Sequence, residues 1–183
     1  MITFVIPSLN RESLKYTIES LLNQTSSNWR AIVVYDNVDG IEFLDKRIKT
    51  IKIDKKGKID GHGLGGLVRN EAIKIVETEW IGFLDDDDTI NKNYVKVLED
   101  KYLDYDFVVW RMKFKDGLVL PPTNMNVLLQ NYVGISFCYK KSMFSDIFFL
   151  ENSNSEDYNF LKQLLNRSQK YKITPEIMYN VRH

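Results

Sequence analysis

Trp80-Ile81-Gly82-Phe83-Leu84-Asp85-Asp86-Asp87-Asp88 joins an apolar run directly to four consecutive carboxylates. The apolar half reads as a buried strand, because a short uninterrupted apolar run suits a strand covered on both faces. The acids then begin at that strand's carboxyl end. Working outward, residues 3–6 form a second such run stopped by Pro7, and residues 31–35 a third ended by Asp36. Between those two, Leu14, Ile18, Leu21 and Leu22 recur at helical spacing, so a helix capped by Ser13 and running to about Asn23 is expected. Residues 50–53 alternate polar and apolar as an edge-like strand, and a helix over 67–78 follows a stretch rich in glycine (Gly57, Gly61, Gly63, Gly65 and Gly66). Strands alternating with helices define an α/β fold with a largely parallel sheet.

Toward the C-terminus the alternation lapses. A helix over 91–101, a strand over 107–114, a turn at Asp116-Gly117, a loop opened by Pro121-Pro122 and a strand over 135–139 are expected in turn. Ser155 is positioned to cap a final helix with Tyr158, Leu161, Leu164 and Leu165 on its apolar face. The predicted architecture is therefore a Rossmann-like mixed sheet, mostly parallel and flanked by helices, in one domain spanning residues 1–183. Ligands in such sheets bind beyond the carboxyl ends of the strands, where Asp36 and the acidic tetrad fall.

Composition narrows the partners. Lys plus Arg number 25 and Asp plus Glu 25, so there is no bulk charge to attract nucleic acid or an anionic membrane. One cysteine, Cys138, excludes an internal disulfide and a cysteine-based zinc site. No stretch approaches the ~20 apolar residues of a membrane span. A soluble, cytoplasmic domain without an integral membrane segment is expected.

Four adjacent carboxylates repel one another most where water is scarce. They fit a solvated loop with Asp88 capping the next helix, or a site for a hard cation such as Mn²⁺ or Mg²⁺ shared with substrate phosphates. The start at a buried strand favours the cation. Asp85-x-Asp87-x-Thr89 also resembles the nucleophile motif of haloacid-dehalogenase-like phosphatases, in which Asp85 attacks phosphorus and Asp87 serves as acid and base. Gly61-x-Gly63-x-x-Gly66 matches the dinucleotide-binding fingerprint formally, but Lys55 to Asp60 separate it from any strand. It reads instead as a glycine loop whose amides, with Arg69, face an anionic ligand, or as a plain surface loop. Glu156-Asp157 sits where acids complement a helix dipole, and a carboxylate so placed is also what an attacking hydroxyl needs.

Six stretches in order resemble the family 2 glycosyltransferases of the GT-A fold. They are Phe4-Val5-Ile6-Pro7-Ser8-Leu9-Asn10, Glu19-Ser20-Leu21-Leu22-Asn23-Gln24-Thr25, Val33-Val34-Tyr35-Asp36, Gly66-Leu67-Val68-Arg69-Asn70-Glu71-Ala72, Phe83-Leu84-Asp85-Asp86-Asp87-Asp88 and Ser155-Glu156-Asp157-Tyr158. The resemblance implies an inverting, metal-dependent transfer of sugar from a nucleoside diphosphate donor, a UDP-sugar by preference, to a hydroxyl acceptor such as a glycan. It implies donor contacts from Pro7, Leu9, Asn10, Asp36, Arg69, Asp85 and Asp86. It implies Mn²⁺ or Mg²⁺ on Asp87, with Asp88 and His183 as further candidates, and Asp157 as general base with Glu156 beside it. Residues 1–90 would then bind the nucleotide and 91–183 supply the base and acceptor site. Tyr35 and Asn37-Val38-Asp39 depart from the family's usual Asp and Gly-Ser, which leaves a catalytically degenerate nucleotide- or glycan-binding domain as the non-enzymatic alternative. Trp110, Arg111 and Lys113 suit either an acceptor surface or an ordinary strand with its aromatic residue in the core.

Overall fold

The structure is a computed structural model that describes residues 1–56, 65–151 and 155–182. Its first half builds a parallel block from β1 (Ile2–Ser8), α1 (Leu14–Leu22), β2 (Trp29–Asp36), β3 (Ile48–Ile53), α2 (Gly65–Ile75) and β4 (Trp80–Phe83). Its second half adds β5 (Thr89–Ile90), α3 (Tyr94–Lys101), β6 (Phe107–Lys113), β7 (Val119–Leu120), β8 (Phe137–Lys140), α4 (Glu156–Arg167) and β9 (Tyr171–Asn180). Among the described residues one sheet runs β3-β2-β1-β4-β8-β6-β9-β5, with β7 alongside β6. The β3-β2-β1-β4 pairs are parallel, β8 is antiparallel to both β4 and β6, and β6 pairs β9 in parallel. The sheet is thus mixed, as expected, and β1, β2, β4, β6 and β9 all point their carboxyl ends the same way.

β1 runs through Pro7 rather than stopping before it. Its ladder with β4 ends at Val5↔Phe83, so Pro7 lies beyond that pairing, where a missing N–H costs no ladder bond. Ser13 already has helical dihedrals (φ −61°, ψ −28°) and makes no side-chain cap. Ser155 makes none either, because its hydroxyl accepts from Gln130 Nε2 at 2.6 Å.

Aromatic rings fill the space between the sheet and α4. Phe83 meets Phe137 and Phe149 at 5.3 Å and Phe160 at 5.6 Å, edge to face in all three cases. Phe83→Ala is expected to lower unfolding free energy by about 3–5 kcal/mol, read from the urea midpoint, because this rigid cluster cannot collapse into the void. Trp110 is fully buried beside Tyr94 (4.8 Å) and Tyr102 (5.5 Å), so it belongs to the core.

The principal element absent from the sequence reading is β9. Pro175 and Glu176 interrupt its apolar residues, and the register with β6 shifts there, from Val109↔Ile173 to Arg111↔Ile177. β5 was also unforeseen: only two residues long, it pairs with the far end of β9.

Candidate active site

The loops after β1 and β2 and the acidic turn after β4 meet at the carboxyl edge of the parallel block. Asn10 and Asn37 both take φ 58°, a left-handed turn that asparagine tolerates, as the chain leaves β1 and β2. Asn10 Nδ2 then donates to the Asp39 carbonyl at 3.0 Å and ties the two loops together. Tyr35, the departure noted above, is a structural pin. Its hydroxyl donates to the Ile41 carbonyl (2.9 Å) and accepts from the Ile41 amide (3.1 Å), and its ring occupies the space a side chain at Gly40 would need. Asp36, buried at the end of β2, accepts from the Lys56 amide at 2.6 Å.

Successive carboxylates of the tetrad face different donors of the protein, although they still raise one another's basicity. Asp85 pairs with the Arg69 guanidinium. Asp86 accepts from the Ser8 hydroxyl at 2.7 Å and the Leu9 amide at 3.3 Å, fastening the acidic turn to the end of β1. Asp87 meets Arg11 at 3.1 Å. Asp88 accepts from the Arg182 amide at 3.0 Å. Each of the four acids thus has a donor from the protein beside it. Asp86 and Asp88 are buried, whereas Asp85 and Asp87 keep side-chain exposures of 32% and 29%. Burial pushes the Asp88 carboxyl up to about 7, with Asp85 adding to the rise. Asp86 is also raised by burial, against the opposing Ser8 hydrogen bond.

A second set of acids arrives from the first turn of α4. Arg69, on α2, reaches Asp85 with one terminal nitrogen and Glu156 with the other, the latter at 3.1 Å. Glu156 also accepts from the Gly66 amide at 3.0 Å. A side chain at Gly66 would meet both that carboxylate and Phe149 at 2.7 Å, so a glycine is needed for the close approach. The anion faced by this end of the glycine stretch is thus the protein's own Glu156; Gly57, Gly61 and Gly63 lie outside the described residues. Arg69 is itself buried, and although burial opposes its charge, Asp85, Asp157 and Glu156 hold its basicity above the usual value.

Asp157 stands beside this network. Burial pushes its carboxyl up to about 7, Arg69 opposes that rise, and Asp85 and Glu156 add to it. Its Oδ1 is buried with no hydrogen-bond partner among the described residues. A buried acceptor without a partner, beside other acids, is the kind of feature that gathers at functional sites.

Among the described residues no three metal-ligating side chains converge as a cage. A hard cation that keeps waters and shares a diphosphate needs only one or two carboxylates, and half-exposed Asp87, paired with the exposed Arg11, fits that lesser demand. Asp88 is deeper and bonded to Arg182, and His183 lies outside the described residues. Leu9 contributes its amide to Asp86 while its side chain stays half exposed, and Pro7 sits one residue before the Ser8 contact.

Sequence reasoning passed over Tyr179 and Arg182. The Tyr179 hydroxyl, at the end of β9, accepts from the Asp85 amide at 3.1 Å, and Arg182 meets Asp88 through its backbone. Thr17 on α1 donates to the Asp88 carbonyl at 2.7 Å.

Residues 3–168 match the sequence model described as Glycosyl transferase family 2. The chain is 27% identical over 211 residues to the minor teichoic acid biosynthesis protein GgaA of Bacillus subtilis, covering 98% of this chain and 46% of GgaA. It superposes on the crystal structure of S. aureus TarS 1-349 in complex with UDP-GlcNAc with a TM-score of 0.80 at 20% identity, covering 100% of this chain and 58% of that one. It also resembles the mannosyltransferase PcManGT from Pyrobaculum calidifontis, solved with GDP-Man and Mn²⁺, at a TM-score of 0.67 and 14% identity, covering 98% and 56%. The chain thus spans about half the length of each of these relatives, and the structural likenesses establish a shared GT-A fold. The phosphatase parse is set aside: it needs Asp85 as nucleophile, whereas Asp85 is paired with Arg69 and the family match extends far beyond the acidic turn.

Proposed function

The chain belongs to glycosyl transferase family 2, and from that premise we propose that it moves a sugar from a nucleoside diphosphate donor to a hydroxyl acceptor with inversion at the anomeric carbon. The observation that carries this reading is the convergence of Asp85, Arg69, Glu156 and Asp157, drawn from three separate segments, at the carboxyl edge of the sheet. Asp157 takes the acceptor's proton as the hydroxyl oxygen bonds to the anomeric carbon and the bond to the diphosphate breaks. Glu156 is the positioning residue, tied to Gly66 and Arg69. Arg69 holds Asp85 and Glu156 in place, so its support of the donor runs through them. Asp36, Asn10, Pro7, Leu9, Asp85 and Asp86 form the donor side, within one domain whose first 90 residues bind the nucleotide.

The UDP-GlcNAc complex of TarS supports a UDP-sugar, and GgaA's part in teichoic acid biosynthesis supports an acceptor among glycans and related polymers. Mn²⁺ or Mg²⁺ held by Asp87 would neutralise charge on the departing diphosphate. The Mn²⁺ complex of PcManGT supports that assignment. A cytoplasmic location remains part of the reading, and no described helix is long and apolar enough to cross a membrane.

Thermal-shift titration tests the donor and the ion together. A matching UDP-sugar at 100 times its Kd with Mn²⁺ should raise Tm by roughly 5–10 °C. Asp87→Ala should abolish the part of that shift that depends on Mn²⁺. Absence of a shift with any nucleotide sugar would sink the donor assignment. Product analysis then separates turnover, which yields a nucleoside diphosphate and a glycoside, from binding alone, which yields neither.

A further inference from the structure

Tyr179, near the end of β9, holds the acidic turn at both of its ends. Its ring is buried in the core, and its hydroxyl accepts from the Asp85 amide at 3.1 Å while donating to the Asp88 carboxylate. Where the turn ends, Ile90 stands opposite Tyr179 in the antiparallel ladder of β5 with β9. The Asn91 amide then donates to the Met178 carbonyl at 2.9 Å. Residues 85–90 are therefore wound around one side chain and its own backbone. Within the winding the Asp88 amide donates to the Asp85 carbonyl at 3.2 Å, and Thr17 closes the other side by donating to the Asp88 carbonyl at 2.7 Å.

This winding sorts the four acids. Asp88 is drawn to the Tyr179 hydroxyl and the Arg182 amide, Asp86 to Ser8, and Asp85 to buried Arg69. Asp87 is the member whose partner, Arg11, is itself 52% exposed. A buried tyrosine hydroxyl bonded to one backbone amide and one carboxylate fixes direction as well as distance, because its ring is held by packing. Tyr179 is braced from behind by Met112, its neighbour in the parallel ladder of β6 with β9. A residue 94 positions later in the chain thus shapes the turn that begins at Asp85.

We propose that Tyr179 is a positioning residue for the cation and diphosphate of the donor: by holding both ends of the acidic turn, it aims Asp87 outward toward them. The inference rests on the sugar-transfer reading and adds to it a residue from β9. Tyr179 is sealed beneath the turn, so it acts through the acids and not on the ligand. Tyr179→Phe keeps the ring and removes one oxygen. The Asp85 amide then loses its acceptor and the Asp88 carboxylate one donor, so the turn loosens where it leaves β4.

The test compares wild type, Tyr179→Phe and Tyr102→Phe. The Tyr102 hydroxyl donates to Glu176 at 2.7 Å, so this control removes a tyrosine hydroxyl bonded to the same strand but away from the turn. Affinity for UDP, with GDP in parallel, is measured by calorimetry in Mn²⁺ and in EDTA, and amide hydrogen exchange is followed at residues 85–88. Mn²⁺ is expected to tighten binding by the same factor in wild type and in Tyr102→Phe. In Tyr179→Phe that factor should fall about tenfold or more, while affinity in EDTA stays within about twofold. Exchange at the Asp85 amide should quicken in Tyr179→Phe only. An unaltered Mn²⁺ factor or unaltered exchange in Tyr179→Phe would overturn the proposal, and so would an equal loss in Tyr102→Phe. If Tyr179→Phe does not fold, the Tyr179 hydroxyl proton of the wild type decides: it should exchange slowly and shift when UDP and Mg²⁺ are added together, and no shift would overturn the proposal. Wild-type protein that binds neither nucleotide would remove the donor assignment itself, and this inference with it.

Discussion

Asp157→Asn is expected to lower kcat for sugar transfer by about 10²–10⁴-fold, with little change in the affinity for the donor. The substitution keeps the shape of the side chain and removes the proton acceptor. The wild-type pH profile gives an independent reading. A general base acts in its ionised form, so kcat/KM should rise with pH, level off above about 7, and fall as the carboxyl protonates below that value. An ordinary aspartate, titrating near 3.8, would leave the profile flat across neutral pH. Stability should move the opposite way. Between 3.8 and about 7 the folded state binds a proton at Asp157 that the unfolded chain does not, so this group's contribution to stability declines as pH rises through that window. The Asn variant carries no such penalty. It should therefore gain Tm relative to wild type at pH 8 and lose that gain near pH 4. A variant that is less active yet more stable at pH 8 separates a catalytic role from a structural one, and full transfer activity under matched conditions would remove Asp157 as the base.

Arg69→Met should lower stability by about 3–5 kcal/mol at pH 8. Its removal leaves Asp85, Glu156 and Asp157 close together without their shared cation. The loss reflects stranded acids more than the net worth of the ion pairs, so it should shrink at pH 5, where Asp157 is protonated. Arg69→Lys should fall between the two, because an ammonium keeps the charge but cannot bridge Asp85 and Glu156 with two separate nitrogens. Urea midpoints for the three proteins at pH 5 and pH 8 check both statements, and an unchanged midpoint for Arg69→Met at pH 8 would contradict the role given to Arg69.

Short-range pattern was enough for much of the molecule. The apolar runs of β1, β2 and β4 read as buried strands, and the acids after the last two, Asp36 and the tetrad from Asp85, fall at the edge where α/β sheets bind ligands, as the structure has them, whereas β1 runs on through Pro7 to Ser8. The Glu156-Asp157 pair was legible as the start of α4 for the same local reason. β9 escaped because Pro175 and Glu176 break its run and its partner β6 lies more than 60 residues earlier, so its pairing follows from tertiary contact rather than from local propensity. The cap assignments failed because one serine was already helical and the other was engaged by Gln130.

The sequence by itself determined which segments are apolar, hence the strand ends and the acids that stand there, because burial of apolar surface depends on spacing along the chain. What those acids do with their charge was decided only by tertiary structure. The four neighbouring carboxylates are met by Arg69, by Ser8 and Arg11, and by Arg182, which come in from three other parts of the chain. Charge compensation is set by distance and desolvation in space, and neither can be read from order along the chain.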